Sequence, residues 1–147
     1  GSSLSRIVHS WVSARLDRKR SWDLFKDALK SDLFDTQRGT TSEGIHLGSM
    51  AGTVDIVQRC FTGIRIKNNI FWISPKIPAT LSGFRFSLCY RNQWLNIYVY
   101  QKNFFIQSHK SNNLTIQIGH KDMIYDLNIG EKKSFLLDSN ENDFIYD

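Results

Sequence analysis

The hydrophobic pattern divides the chain into two regimes. Up to about residue 62 apolar side chains recur at helical spacing, and from there onward they alternate. Leu4, Ile7, Val8, Trp11 and Val12 share one side of a segment over 4–17, whereas Arg6, Ser13 and Asp17 lie away from it, which predicts an amphipathic helix. After the charged break Asp17-Arg18-Lys19-Arg20, Ser21 is the expected N-cap of a second helix ending near Lys30, with Trp22, Phe25, Ala28, Leu29 and Leu33 inward. Two short helices joined in this way form an αα-hairpin.

The third helical stretch organises the rest. It opens at Gly39-Thr40-Thr41-Ser42-Glu43, where Thr40 and Glu43 have capping-box spacing. It continues to Phe61, with Leu47, Met50, Ala51, Val54, Val57 and Phe61 in one stripe. Ile45, Ile56 and Cys60 fall off that stripe, so the helix is apolar nearly all round and should be buried. Gly44, Gly48 and Gly52 lie four apart on an adjacent face; each costs about 1 kcal/mol against alanine and so implies close approach of a backbone or a ligand. A helix mouth rich in Thr, Ser and Gly, with His46 close by, suits an anion.

Beyond Thr62-Gly63 the period becomes two. Residues 64–66 and 70–73 flank Asn68-Asn69, the pattern of a tight β-hairpin. Phe84, Phe86, Leu88 and Tyr90 alternate with polar residues, Arg91-Asn92-Gln93 turns the chain, and Leu95, Ile97 and Val99 resume the alternation. Further strands are expected near 104–108, 114–119, 123–129 and 133–137, with turns at Asn112-Asn113 and Gly130-Glu131. The expected organisation is α then all-β: helices over 1–62 that cannot bury themselves, then an antiparallel sandwich-like domain over 63–147.

Composition narrows the function. The 147 residues are 41% hydrophobic and 13% aromatic, enough for a packed core. A formal net charge of +5 permits an anionic ligand, but the basic run at 17–20 lacks the aromatic interleaving of a nucleic-acid surface, so no nucleic-acid partner is expected. No apolar run reaches the ~18 residues of a membrane span. Cys60 and Cys89 lack metal-ligand spacing and read as thiols of a reducing compartment, cytoplasmic or stroma-like. His9, His109 and His120 have no partners at ligand spacing, so no metal site and no cofactor is expected. Glu43 is accounted for by capping, and no pair of carboxylates or nucleophile–base set stands out.

The run Gly39–Ile64, GTTSEGIHLGSMAGTVDIVQRCFTGI, closely resembles the TTxEGIHLGAMAG signature of glycoside hydrolase family 65, which contains maltose, trehalose and kojibiose phosphorylases and acid trehalases. The resemblance extends upstream through GSSLSRIVHSW, which in the family reads HGSSLSPxVHAW, and downstream through IFWISPKIPATLSGFRFSLCYRNQWLNIYV to about residue 100. Ser49 stands where the family usually has alanine, and Gly1-Ser2-Ser3 matches in register, as native sequence would.

The resemblance implies the last helices of an (α/α)6 barrel followed by the family's small C-terminal β domain. It implies cleavage of an α-linked disaccharide with inversion, a glutamic acid protonating the leaving oxygen while phosphate or water attacks from the other face. That acid belongs to the barrel upstream of these residues, so no catalytic residue is expected here and the chain alone should be inactive. Matching residue by residue, Ser2, Ser3, Thr41, Gly44 and His46 would hold phosphate as co-substrate. Family members are often homodimers. The alternative reading is a non-enzymatic β-rich carbohydrate-binding or interaction module.

Overall fold

The structure, a computed structural model, describes residues 3–30, 34 and 46–138. The chain falls into two compact units, Gly1–Ile64 and Arg65–Asp147.

In the first unit, α1 (Ser3–Ser13) and α2 (Arg18–Lys30) form the expected hairpin. The capping residue differs from expectation. The N–H of Arg20 donates to Asp17 Oδ1 at 2.8 Å, so Asp17 is the N-cap and the basic run forms the first helical turn. Basic residues oppose the dipole at a helix start, which is why they read as a break. Ser21 is instead buried where the helices touch: its hydroxyl donates to the Ser10 carbonyl, and the Ser10 hydroxyl donates to the Ser21 carbonyl, both at 2.8 Å. Small side chains let the two backbones come close, and each hydroxyl is satisfied by the opposite helix.

The third helical segment also departs from the expected single α-helix over 41–61. Here α3 spans Leu47–Asp55, preceded by His46, and a π-helical turn follows over Ile56–Phe61. The Thr40–Glu43 capping box lies outside the described residues. Winding i→i+5 brings residue i+5 nearly back over residue i, so Ile56 and Phe61 are both fully buried. Phe61 packs against Trp22 and Phe25, with ring centroids 5.9 and 5.8 Å away. Gly52 explains one of the three spaced glycines: a Cβ there would lie 2.5 Å from Ile7 Cγ2, so this glycine admits α1. Gly63, at φ +63°, closes the segment in the left-handed conformation that stops helices.

The buried face of α3 is not its most apolar one. Ser49, Thr53 and Ile56 are buried, while Leu47 and Val54 are 70% and 56% exposed. Ser10 of α1 and Ala14 just beyond its end are buried, while Val8, Trp11 and Val12 of α1 are exposed.

The second unit is a sandwich of two four-stranded sheets. The hairpin β1 (Arg65–Lys67) and β2 (Ile70–Trp72) turns at Asn68-Asn69, both at positive φ, as the two-residue turn requires. β3 (Gly83–Tyr90) and β4 (Gln93–Tyr100) turn in the same way at Arg91-Asn92. β5 (Asn103–Ser108) and β8 (Lys132–Leu136) complete the sheet β3-β4-β5-β8, and β6 (Ile116–His120) with β7 (Met123–Leu127) complete β1-β2-β6-β7. All pairings are antiparallel except β2 with β6, which run parallel. That pairing joins segments far apart in sequence, so no local turn signal announces it.

Inward residues of both sheets close one core: Leu95, Ile97, Val99, Phe104, Ile106, Ile118 and Leu127 are fully buried. His120 of β6 reaches the opposite sheet, its ring 4.9 Å from Phe104 and 5.4 Å from Phe135. Side chains stitch the 109–114 loop to β4. The Asn112 amide accepts from the N–H of Trp94 and donates to its carbonyl, both at 2.8 Å, in the manner of a strand neighbour. Buried Gln93 accepts from the N–H groups of Asn113 and Leu114.

Candidate functional site

The candidate anion site is the one expected from the sequence before the first and third helical segments. Of its five residues, Ser2, Thr41 and Gly44 fall outside the described residues, and Ser3 is placed by its backbone as the first residue of α1. His46 immediately precedes α3 (φ −81°, ψ 77°) and is half-buried. Its carbonyl accepts the N–H of Ser49 at 2.9 Å and of Met50 at 3.1 Å, so it starts the helical ladder. Its imidazole does not cap the helix. The N–H groups of Leu47 and Gly48 have no intrahelical acceptor, as at any helix start, and together with the helix dipole they favour a negative charge there.

Ser49, in the first turn of α3, is fully buried, and its hydroxyl has no hydrogen-bond partner among the described residues. An unmet hydroxyl in that position costs on the order of 1–3 kcal/mol.

Arg18 marks a second electrostatic feature of the unit. Its guanidinium crosses to the π-helical turn and donates to the Cys60 carbonyl at 3.3 Å. Burial lowers its pKa, partly offset by the Cys60 thiol, and burial likewise raises the pKa of that thiol. Cys60 is thus held as a neutral thiol rather than a nucleophile. A lone arginine in a basic run gives no sequence signal for this contact, since the acceptor is a carbonyl exposed by the π-helical turn. Both cysteines are unpaired. Among the described residues no group of His, Cys, Asp and Glu is arranged to hold a metal ion, and no helix is long and apolar enough to cross a membrane.

Comparison with known proteins matches the chain in two consecutive parts. Residues 1–55 match the glycosyl hydrolase family 65 central catalytic domain, and residues 64–133 match the glycosyl hydrolase family 65 C-terminal domain. An uncharacterized glycosyl hydrolase of Mycobacterium tuberculosis is 38% identical over 84% of the chain, which covers 9% of that protein. The trehalose 6-phosphate phosphorylase of Lactococcus lactis is 32% identical over 67% of the chain, covering 13% of that protein. The maltose phosphorylase of Bacillus subtilis is 29% identical over 84% of the chain, covering 16%. A solved structure provisionally described as a kojibiose phosphorylase from the human microbiome superposes on 92% of the chain with TM-score 0.78 and 27% identity, and the match covers 17% of that protein. The chain therefore spans a small fraction of the length of the relatives it matches.

Proposed function

The chain belongs to glycosyl hydrolase family 65, and on that premise we propose that it is the C-terminal part of an enzyme cleaving α-linked glucose disaccharides with inversion, phosphate being the attacking group. The observation that carries this reading is the order of the two family matches, catalytic domain then C-terminal domain, along one short chain. The maltose and trehalose 6-phosphate phosphorylases among the relatives favour phosphorolysis over hydrolysis.

In this reading α1, α2 and α3 are the last helices of an (α/α)6 barrel. The outward Val8, Trp11, Val12, Leu47 and Val54 support it, because they are the apolar surface that further barrel helices would cover. Ser2, Ser3, Thr41, Gly44 and His46 hold the phosphate. Hydroxyls and backbone N–H groups orient it for in-line attack, and a carboxylate base at that place would repel it. The general acid comes from barrel residues outside these 147, so the chain alone makes no product. Homodimer formation and a reducing compartment go with the family reading.

The test is a chimera in which these 147 residues replace the matching stretch of the maltose phosphorylase of Bacillus subtilis. Glucose 1-phosphate should form from maltose in proportion to phosphate, and His46→Ala should raise the phosphate KM by roughly tenfold or more. A folded chimera that releases only free glucose, indifferent to phosphate, would overturn the phosphorolytic reading. The isolated chain, incubated with maltose, trehalose or kojibiose and phosphate, should yield no glucose 1-phosphate.

A further inference from the structure

The outward face of the β3-β4-β5-β8 sheet carries an arrangement that phosphate chemistry does not use. Gly83 pairs with Tyr100 and Arg85 with Tyr98 across β3 and β4, and Tyr98 pairs with Phe105 across β4 and β5. Since Ile97 and Val99 point into the core, alternation puts Tyr98, Tyr100 and Arg85 on the opposite, outward side. A Cβ at Gly83 would lie 2.6 Å from the Val99 carbonyl oxygen and 2.8 Å from Tyr100 Cδ1, so the tyrosine ring rests on bare backbone. Its position is fixed further by an edge-to-face contact with Phe105, at 6.1 Å and 80°. The ring remains 45% exposed.

Beside it Arg85 is exposed and has no carboxylate partner among the described residues. Ser82, Gly83, Phe84, Arg85 and Tyr100 line an open cleft of about 280 Å³. The neighbouring rings are already occupied: the Lys132 ammonium stands 4.4 Å from the Phe105 centroid and 5.5 Å from that of Tyr98. Tyr100 is thus the ring left open to a ligand at this corner.

The geometry points to a second carbohydrate site in this cleft, taking a glucose unit of an α-linked oligosaccharide. A pyranose has an apolar C–H face that stacks on an aromatic ring and a rim of hydroxyls. The Arg85 fork donates to neighbouring hydroxyl oxygens, and the Ser82 hydroxyl accepts or donates in turn. No carboxylate on the cleft competes for the guanidinium. The choice of a sugar among hydroxylated ligands rests on the carbohydrate reading above.

The test is a titration of the isotope-labelled 147-residue chain with maltotriose, followed by amide chemical shifts. Saturable shifts are expected at residues 82–85 and 98–105, with Tyr100→Ala and Arg85→Gln each weakening affinity by roughly tenfold. Arg85→Gln alters an exposed side chain and leaves the fold intact, so it decides the matter if Tyr100→Ala unfolds the unit. Absence of saturable shifts at millimolar maltotriose, binding unchanged in Arg85→Gln, or the same shifts from inorganic phosphate alone would overturn the proposal. An inactive chimera with maltotriose shifts intact would break the catalytic reading and leave this one standing.

Discussion

The helical and β units treat their apolar residues in opposite ways. In the β unit the inward members of β4, β5 and β6 are fully buried, and two sheets close on each other. In the helical unit Phe25, Ile56 and Phe61 are buried together with serine, alanine and threonine, and glycine admits a neighbouring helix, while Val8, Trp11, Val12, Leu47 and Val54 face outward. A pair of sheets can enclose a core between them. Three short helices leave each helix with a free side. Small residues fix how α1 approaches α2 and α3, and part of the large apolar surface stays outward.

The comparison breaks most severely at the centre of the sandwich. Phe104→Ala removes a fully buried ring that stacks 4.8 Å from Phe135, and a loss of about 3–5 kcal/mol is expected in urea unfolding followed by β-sheet circular dichroism. Next comes Gly52→Ala, which forces a methyl against Ile7; a loss of about 1–3 kcal/mol in the helical signal is expected, recovered in large part by adding Ile7→Ala. If Ile7→Ala gives no rescue, the close approach of α1 and α3 is wrong.

Ser49→Ala sharpens the comparison from the other side. Removing a buried hydroxyl without a partner should raise stability by about 1 kcal/mol, read as a higher melting temperature. Leu47→Lys with Val54→Lys should change stability by no more than about 0.5 kcal/mol each, because both positions are outward. The same pair should weaken binding of an apolar dye to the chain, with Val8, Trp11 and Val12 still outward, and inactivate the chimera; unchanged dye binding would remove the case for a covered face.

The smallest effect concerns acid. Hydrogen bonds from Lys133 and from the Asn128 N–H hold the pKa of Glu131 below its ordinary 4.5. A depressed carboxylate contributes stability above its unfolded value and loses it as pH falls through the folded one. Glu131→Gln should therefore lower stability slightly near neutrality and leave it almost unchanged in acid below the folded value, flattening the profile below about pH 4.5.

The hairpins were legible because their signals are local: Asn68-Asn69 and Arg91-Asn92 sit between alternating runs, and both pairs take positive φ. The third turn, at Lys121 (φ +53°) and Asp122, carries no such marker, so β6 and β7 were expected without it. Phe25, Ala28 and Phe61 are inside as expected, but the inward faces of α1 and α3 differ from expectation because burial there follows close approach rather than hydrophobicity: Ser10 and Ser49 are inside, and Trp11 and Val54 are not. The cap was misread for a related reason, since Ser21 and Asp17 are both good capping residues and only tertiary contact separates them. The π-helical turn follows from packing Ile56 and Phe61 on one side, a demand that periodicity cannot show. Of the candidate site, periodicity gave a helix mouth and the family signature gave the five residues. His46 alone is described with its side chain, at the start of α3.

The parallel pairing of β2 with β6 has a consequence for the order of assembly. Phe71 meets Ile118 only after β3, β4 and β5 have been passed, so this pairing is of high contact order, whereas β3, β4 and β5 of the neighbouring sheet are joined by adjacent hairpins. On a growing chain β3-β4-β5 forms from local contacts, and the β1-β2 hairpin waits with an unpaired edge until β6 leaves the ribosome. The joint between β2 and β6 is thus the kinetic bottleneck of the domain, and slow maturation or edge-to-edge aggregation is to be sought there first.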